Sequence, residues 1–438
     1  MAGTLVYTQA GLVVLFLWLL FGDFAWMARE RAVTPLTQVL LKSYHVSDTV
    51  IGFLLGSIPS ALSMILLPVV SYRSDRCRSP LGRRIPFLLA TVPAVSLSLL
   101  TLAFVPSLSR MAHEMLGPHS PGLKICFLMI FSVVWIVFEV SAIVGNGLFV
   151  ALINDVVPQQ IIGRFFGLFR IVGLAVGLSF NFFLMGKAET HYMVMFIVLG
   201  ILYGVGFGLM CLRVKEGDYP PPATQHYEGI LVSVRRYFRE CFAHPFYRMI
   251  FLTFALSNVV FIPVNAFSLF FARSVGMSLD AYGKALAIGM LCTMLLSYPL
   301  GSLADRLHPL RIGIASLVLY LLLSVAGAIW ASTEWAFGIT FVAHVVVSGI
   351  FLTGVSSLGQ RLFPQSVFGQ FFSAASMVTS IFIFVLTPVV GIILDISGSV
   401  YRLTFLMGGI LAALTIVAFV AVLRYYNSLG GDRSYSAP

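Results

Sequence analysis

Twelve apolar stretches, each about the length a helix needs to cross the ~30 Å hydrocarbon core of a bilayer, leave this chain few folds to choose from. They fall near 9–32, 48–71, 85–106, 123–153, 165–186 and 191–212, and then near 247–271, 280–301, 311–331, 336–358, 371–394 and 402–424. Hydrophobic residues make up 59% of the 438 residues and charged ones only 10%, with a mean hydropathy of +0.97. A soluble domain carries about 25% charged residues and would have no way to cover so much apolar surface. The expectation is an all-α membrane protein of twelve transmembrane helices.

The basic residues orient it. Residues 68–87 read PVVSYRSDRCRSPLGRRIPF, with five bases and one acid between Arg73 and Arg84. That cluster must be a short loop outside the hydrocarbon, and loops rich in Lys and Arg stay in the cytoplasm. With six plus six helices both termini then lie inside, and 18 of the 27 bases fall in the inward segments against 9 in the outward ones. The same distribution disposes of nucleic acid as the partner implied by a net charge of +10, because the bases are not gathered on one domain. The partners expected are membrane lipid and a small-molecule solute. Cys77, Cys126, Cys211, Cys241 and Cys292 have no metal-site or disulfide spacing, so no metal is expected and no cofactor. No cleavable leader is expected either, since the first ten residues hold no base.

The chain reads as two halves, 1–212 and 247–424, with a linker at 213–246 and a short tail at 425–438. Tyr219-Pro220-Pro221-Pro222 breaks helix. After it, 227–243 sets Ile230, Val234, Tyr237, Phe238 and Cys241 at helical spacing beside Arg235, Arg236 and Arg239, the pattern of an amphipathic helix at the headgroups. The halves repeat: Pro158-Gln159-x-x-x-Gly163-x-Phe165-Phe166 recurs from Pro364, and Ser74-Asp75-Arg76 recurs as Ala304-Asp305-Arg306. The two offsets differ because the first half carries a longer outward loop, 107–122, and a longer fourth helix. Two pseudo-symmetric six-helix bundles with binding near the midplane are a transporter architecture.

Ionisable and amide side chains inside the spans are the functional candidates. Asp23, Trp26 and Glu30 share a face of helix 1, where carboxylates accept hydroxyl hydrogens and an indole covers an apolar sugar face. An ion pair of Asp23 with Arg29 or Arg31 is the structural alternative. Glu139 stands mid-membrane on helix 4 with no base one turn away, so it either exchanges a proton or stays a neutral, hydrogen-bonded acid; Asn146 follows two turns later. Asn258 and Asn265 on helix 7 repeat the seven-residue spacing of Asp23 and Glu30, and serve either the solute or helix–helix bonding. His344 on helix 10 either fills the interior or lines the path. At the cytoplasmic face Asp75, Arg76, Gly82, Arg83, Arg84, Asp155, Arg164, Gly301, Asp305 and Arg306 are placed to form a gate between helix ends, lipid contact being the alternative for the arginines. The chain carries no Walker A, GxSxG or HExxH sequence, so neither an ATP-driven pump nor an enzyme is expected.

Gly301-x-Leu303-Ala304-Asp305-Arg306 resembles the loop motif of the major facilitator superfamily. More narrowly, Ser74-Asp75-Arg76-x-Arg78-Ser79-x-x-Gly82-Arg83-Arg84-x-Pro86-Phe87 resembles the glycoside–pentoside–hexuronide:cation symporters and the sucrose:proton symporters. Glu139 followed by Ala151-Leu152-Ile153-Asn154-Asp155 is similar to the membrane acid and Ala-Leu-Leu-Ala-Asp of the sucrose carriers. The resemblance implies secondary transport of a glycoside or small sugar by alternating access, with Glu139 as coupling or sugar-binding acid and with Asp75 and Asp305 engaging helix ends. Helix 2 has Ser57, Ser60 and Ser63 but no acid for a sodium site, which favours protons as the coupling ion. Val150 replaces the sucrose carriers' arginine, so the cargo need not be sucrose. A drug:proton antiporter or another carrier of a non-sugar solute remains the rival, although helix 5 lacks Gly-Pro-x-x-Gly after Gly173-x-x-x-Gly177. A non-transporting sensor is the second rival; it predicts a soluble signalling extension, and only 14 residues follow Arg424. The expected setting is the plasma membrane, as a monomer.

Overall fold

A computed structural model describes residues 5, 7–158, 161–217, 237–364, 368–431, 435 and 437. Among these, eleven continuous helical segments are long and apolar enough to span a bilayer, and one of them, Phe165–Arg213, is 49 residues long and holds two crossings. The first six helices are α1 (Gln9–Ser43), α2 (Asp48–Arg76), α3 (Ile85–Leu116), α4 (Leu123–Val156), α5 (Ile162–Ser179) and α6 (Ala188–Leu202, continued by a π turn and Gly208–Arg213). The second six are α7 (Pro245–Ser274), α8 (Leu279–Leu307), α9 (Pro309–Trp330), α10 (Glu334–Gly354), α11 (Phe368–Ile396) and α12 (Leu403–Ser428).

Several helices outrun the apolar stretches that announce them. The loop expected over 107–122 is helical as far as Leu116 and turns only at Gly117-Pro118. Helix α1 passes Pro35 and reaches Ser43, with Leu36, Val39, Leu40 and Leu41 buried. A membrane helix tolerates proline where neighbouring helices, Ser or Thr side chains or a local adjustment of the helix satisfy the freed backbone group. Helix α7 breaks between Val259 and Ile262, ahead of Pro263. Of the linker's amphipathic helix, 237–242 is helical, with Cys241 buried and Phe238 exposed; residues 218–236 lie outside the described ones, as do parts of both Pro-Gln repeats.

Two compact units divide the described chain. One takes in the residues up to 47 and 58–217, the other 48–57 and 237 onwards. In the first, α4 lines up Phe127, Phe131, Trp135 and Phe138 in successive ring contacts 5.2–5.8 Å apart. The core of the second gathers Phe246, Tyr247, Phe251, Tyr320, Phe351 and Phe419. Leu17, Val133, Leu295 and Val417 are more than half exposed, as apolar side chains facing lipid should be.

The second unit includes the first ten residues of α2 through side-chain chemistry on α11. Asp395 accepts the backbone N–H groups of Asp48 and Thr49, each at 2.9 Å, and the Thr49 hydroxyl. It thus satisfies donors that a helix N-terminus leaves unpaired. Tyr401 donates to Asp48 at 2.9 Å. Gly391 allows this approach, since a Cβ there would stand 2.5 Å from the Asp48 carbonyl oxygen.

Candidate functional site

A cavity of about 80 Å³ opens within the first unit between α1 and α4, lined among others by Arg29, Glu30, Phe138, Glu139 and Asn146. Glu139 and Asn146, two turns apart on one face of α4, meet Arg29 and Glu30 of α1 there. Arg29 organises the polar groups. Its Nη2 donates to Asn146 Oδ1 at 2.7 Å and lies 3.2 Å from the Glu30 carboxylate. The guanidinium sits 5.5 Å from the Tyr203 ring and 5.9 Å from that of Phe138, contacts that favour a cation where water is scarce. Trp26 donates from Nε1 to the same Asn146 oxygen, and its ring meets Phe149 and Phe169. Asn146 is therefore the hub to which α1 is fastened.

Glu139 faces the cavity and makes no hydrogen bond or ion pair among the described residues. Glu30 is 45% exposed even while paired with Arg29. Arg29 is thus paired with Glu30 and Asn146 and not with Glu139, although all four line one cavity.

Asp23 stands apart from this cavity. It is fully buried, neither carboxylate oxygen has a hydrogen-bond partner among the described residues, and it does not line the cavity. Its neighbour Gly22 packs on Met210 of α6; of the two bases offered as its structural partner, Arg29 binds Glu30 and Asn146 instead, and neither Asp23 oxygen is hydrogen-bonded to Arg31. The heptad spacing puts Asp23 and Glu30 on one stripe, but that stripe passes from a sealed helix contact to the cavity within two turns. Trp26 likewise packs and anchors rather than lining the cavity.

In the second unit Asn258 and Asn265 lie on an exposed strip of α7, a span otherwise mostly buried. Asn258 donates to the Phe254 carbonyl at 2.8 Å, and Asn265 Oδ1 is 3.0 Å from Nε2 of His344. His344 itself is completely buried and does not line the strip.

At the end of α3 nearest the charged loop, Arg83 grips Asp155 with two bonds of 2.9 and 2.5 Å. Arg84 reaches Asp155 at 3.2 Å, Asp75 at 2.5 Å and the Ser74 hydroxyl. Asp75 thus engages an arginine, whereas the resemblance implied a helix end. The helix end is held by a residue that sequence reasoning missed: Glu216 accepts the backbone N–H groups of Arg83, Arg84 and Ile85 at 2.9, 2.8 and 2.7 Å. The signal available was an acid three residues past the last base of α6, ahead of the proline run; nothing local says that it folds back. Arg76 is exposed. Helix α8 contains Gly301, Asp305 and Arg306 and α5 contains Arg164, but the side chains of these four lie outside the described ones.

The family model described as MFS/sugar transport protein matches residues 20–368. Over 160 residues the chain is 28% identical to the sucrose transport protein SUC4 of Arabidopsis thaliana, a match covering 35% of this chain and 30% of that protein; it spans less than a third of that relative's length. Among solved structures, the nucleoside transporter NupG superposes with a TM-score of 0.69 at 14% identity, over 94% of this chain and 99% of that one. A bacterial homolog of the human lysosomal transporter Spinster gives 0.67 at 14%, over 95% and 97%. A bacterial homologue of the iron transporter ferroportin gives 0.62 at 13%, over 94% and 99%. At such identities the likeness is one of fold, the twelve-helix fold of these transporters.

Proposed function

The chain belongs to the family of MFS/sugar transport proteins, a transporter and not an enzyme, and we propose that it is a proton-coupled symporter of a glycoside or small sugar working by alternating access. The observation that carries this reading is the cavity between α1 and α4, where Glu30, Glu139, Arg29 and Asn146 meet. A hydroxylated solute both donates to carboxylates and accepts from a guanidinium or amide, so a neutral sugar uses every group present. The sucrose transport protein among the relatives makes sucrose the first cargo to try.

In this reading Glu139 takes the coupling proton. With Glu139 neutral, Arg29 stays with Glu30 and Asn146; with Glu139 ionised, Arg29 has a second carboxylate to answer. Solute binding and proton release then compete for the same guanidinium, which is the coupling a symporter needs. That α2 carries Ser57, Ser60 and Ser63 and no acid in its mid-span supports protons over sodium. The cytoplasmic cluster of Asp75, Arg83, Arg84, Asp155 and Glu216 fixes the α2–α3 loop from which a gate would be built. The protein is read as a monomer of the plasma membrane with both termini in the cytoplasm, as the basic loops require.

Uptake of radiolabelled sucrose, maltose and methyl glucosides into proteoliposomes under an inward proton gradient tests the reading. Saturable uptake that collapses with a protonophore is expected. Sodium-dependent uptake indifferent to pH would remove the coupling, and transport of none of these sugars beside transport of a nucleoside or a cationic solute would remove the cargo.

A further inference from the structure

Of the polar groups buried in the second unit, His344 stands out for being half-used. Its Nε2 lies 3.0 Å from Asn265 Oδ1, while its Nδ1 is buried with no hydrogen-bond partner among the described residues. The imidazole is caged by rings of Phe261, Tyr320, Phe341 and Phe405, at centroid distances of 5.4–6.2 Å. None of these cage residues carries a carboxylate, and an unpaired cation there would be costly. The ring is therefore neutral and has one N–H. If that hydrogen is on Nε2, it donates to the Asn265 carbonyl and only an acceptor lone pair goes unused. If Asn265 were turned over, the imidazole hydrogen would sit on Nδ1, a buried N–H with no acceptor, which proteins avoid more strictly than an idle acceptor.

The consequence lies on the exposed strip of α7. The carbonyl of Asn265 is taken by His344, so the end it shows to the strip is its NH2 group. Asn258 is held the other way round: its NH2 is taken by the Phe254 carbonyl at 2.8 Å, so it shows its oxygen. Amides on a strip facing lipid would be unsupported; on a strip facing a watery path they form a polarised pair, acceptor at 258 and donor at 265, on either side of the break in α7.

We propose that His344 is a positioning residue that locks the Asn265 amide with its NH2 outward, so that α7 offers the solute a donor at 265 and an acceptor at 258. This rests on the reading of the α7 strip as part of a solute path. A solute oxygen with no hydrogen to give, such as a ring or glycosidic oxygen, is the group that Asn265 then recognises.

The test has two arms. In reconstituted protein labelled with 15N-histidine, the His344 signals, identified by their loss in His344→Phe, should show a protonated Nε2 and a bare Nδ1. A protonated Nδ1, or two protonated nitrogens, overturns the proposal whether or not any sugar is carried. In the second arm, His344→Phe fills the aromatic cage and should keep folded yield and thermal midpoint while raising KM for sucrose about tenfold, the size of one well-placed hydrogen bond. His344→Gln, whose amide N–H reaches as far as Nε2, should return KM to within about threefold of wild type. A Phe variant with unchanged KM, or a Gln variant no better than Phe, shows His344 to be packing alone. Failure of the wild type to carry sucrose would count against the proposed cargo, and the imidazole spectrum would then decide the inference by itself.

Discussion

The Glu216 carboxylate occupies the space that a side chain at Gly82 would need: a Cβ on Gly82 would stand 2.6 Å from the carboxyl carbon. Gly82 also has φ = +108°, a backbone conformation open to glycine and costly to other residues. The segment just after α6 and the loop before α3 are thus fitted to one another, the glycine making room for an acid that binds three N–H groups at the start of α3. A helix N-terminus is the place where a negative charge is most useful.

Gly82→Ala should therefore destabilise the first unit by about 1–3 kcal/mol through backbone strain alone, and displace Glu216 as well. Glu216→Gln retains the shape but weakens the charge-assisted bonds, and should cost less than Glu216→Ala. Thermal unfolding of the three purified variants would rank them; a Gly82→Ala protein as stable as wild type would contradict the fit described above.

Asp155 accepts from both Arg83 and Arg84, while Asp75 is half exposed and meets Arg84 alone. Asp155→Asn should leave two guanidiniums competing for one acid and lower both folded yield and transport rate. Asp75→Asn should lower stability by less than about 1 kcal/mol, as for an exposed pair. Equal losses from the two variants would mean that bidentate geometry is irrelevant here.

Glu139→Gln keeps the size and hydrogen-bonding capacity of the side chain but cannot release a proton. Exchange of sugar across the membrane should persist, with accumulation against a gradient abolished. Counterflow and net uptake in the same proteoliposomes separate the two. Full accumulation by the Gln variant would transfer the coupling to another group, with Glu30 the next to test.

Asp23 is sealed from the cavity, so Asp23→Asn should leave solute affinity within about twofold, and Asp23→Lys should fail to fold, for want of any partner for a buried cation. Thermal-shift titration with the transported sugar reads the first, detergent-solubilised yield the second. A tenfold loss of affinity in the Asn variant would place Asp23 at the solute after all.

Removing the cap on α2 should be felt at a distance in sequence. Asp395→Asn would weaken three bonds to residues 48 and 49, at a cost of about 1 kcal/mol by analogy with N-cap substitutions. A faster hydrogen exchange of the first turn of α2, relative to the rest of that helix, is the expected signature.

The number of crossings and the family could both be read from the order of residues. They depend on terms that add along the chain: apolar residues accumulate transfer free energy over each span whatever surrounds them, and Arg73 to Arg84 cannot enter hydrocarbon in any fold. The heptad spacing on α4 brings Glu139 and Asn146 to one cavity, whereas that on α1 brings Glu30 there and leaves Asp23 out. The partners were not legible. Arg29 has one acid six positions before it and another directly after it, and local spacing cannot say that it turns to Asn146, 117 positions away, or that Asp23 is fully buried. Glu216 and Ile85 are 131 positions apart, and no periodicity links an acid beyond one helix to the first turn of another. Hydrogen bonds and ion pairs act over a few ångströms and carry no trace in the order of residues, so the packing of the helices alone settled which charge meets which.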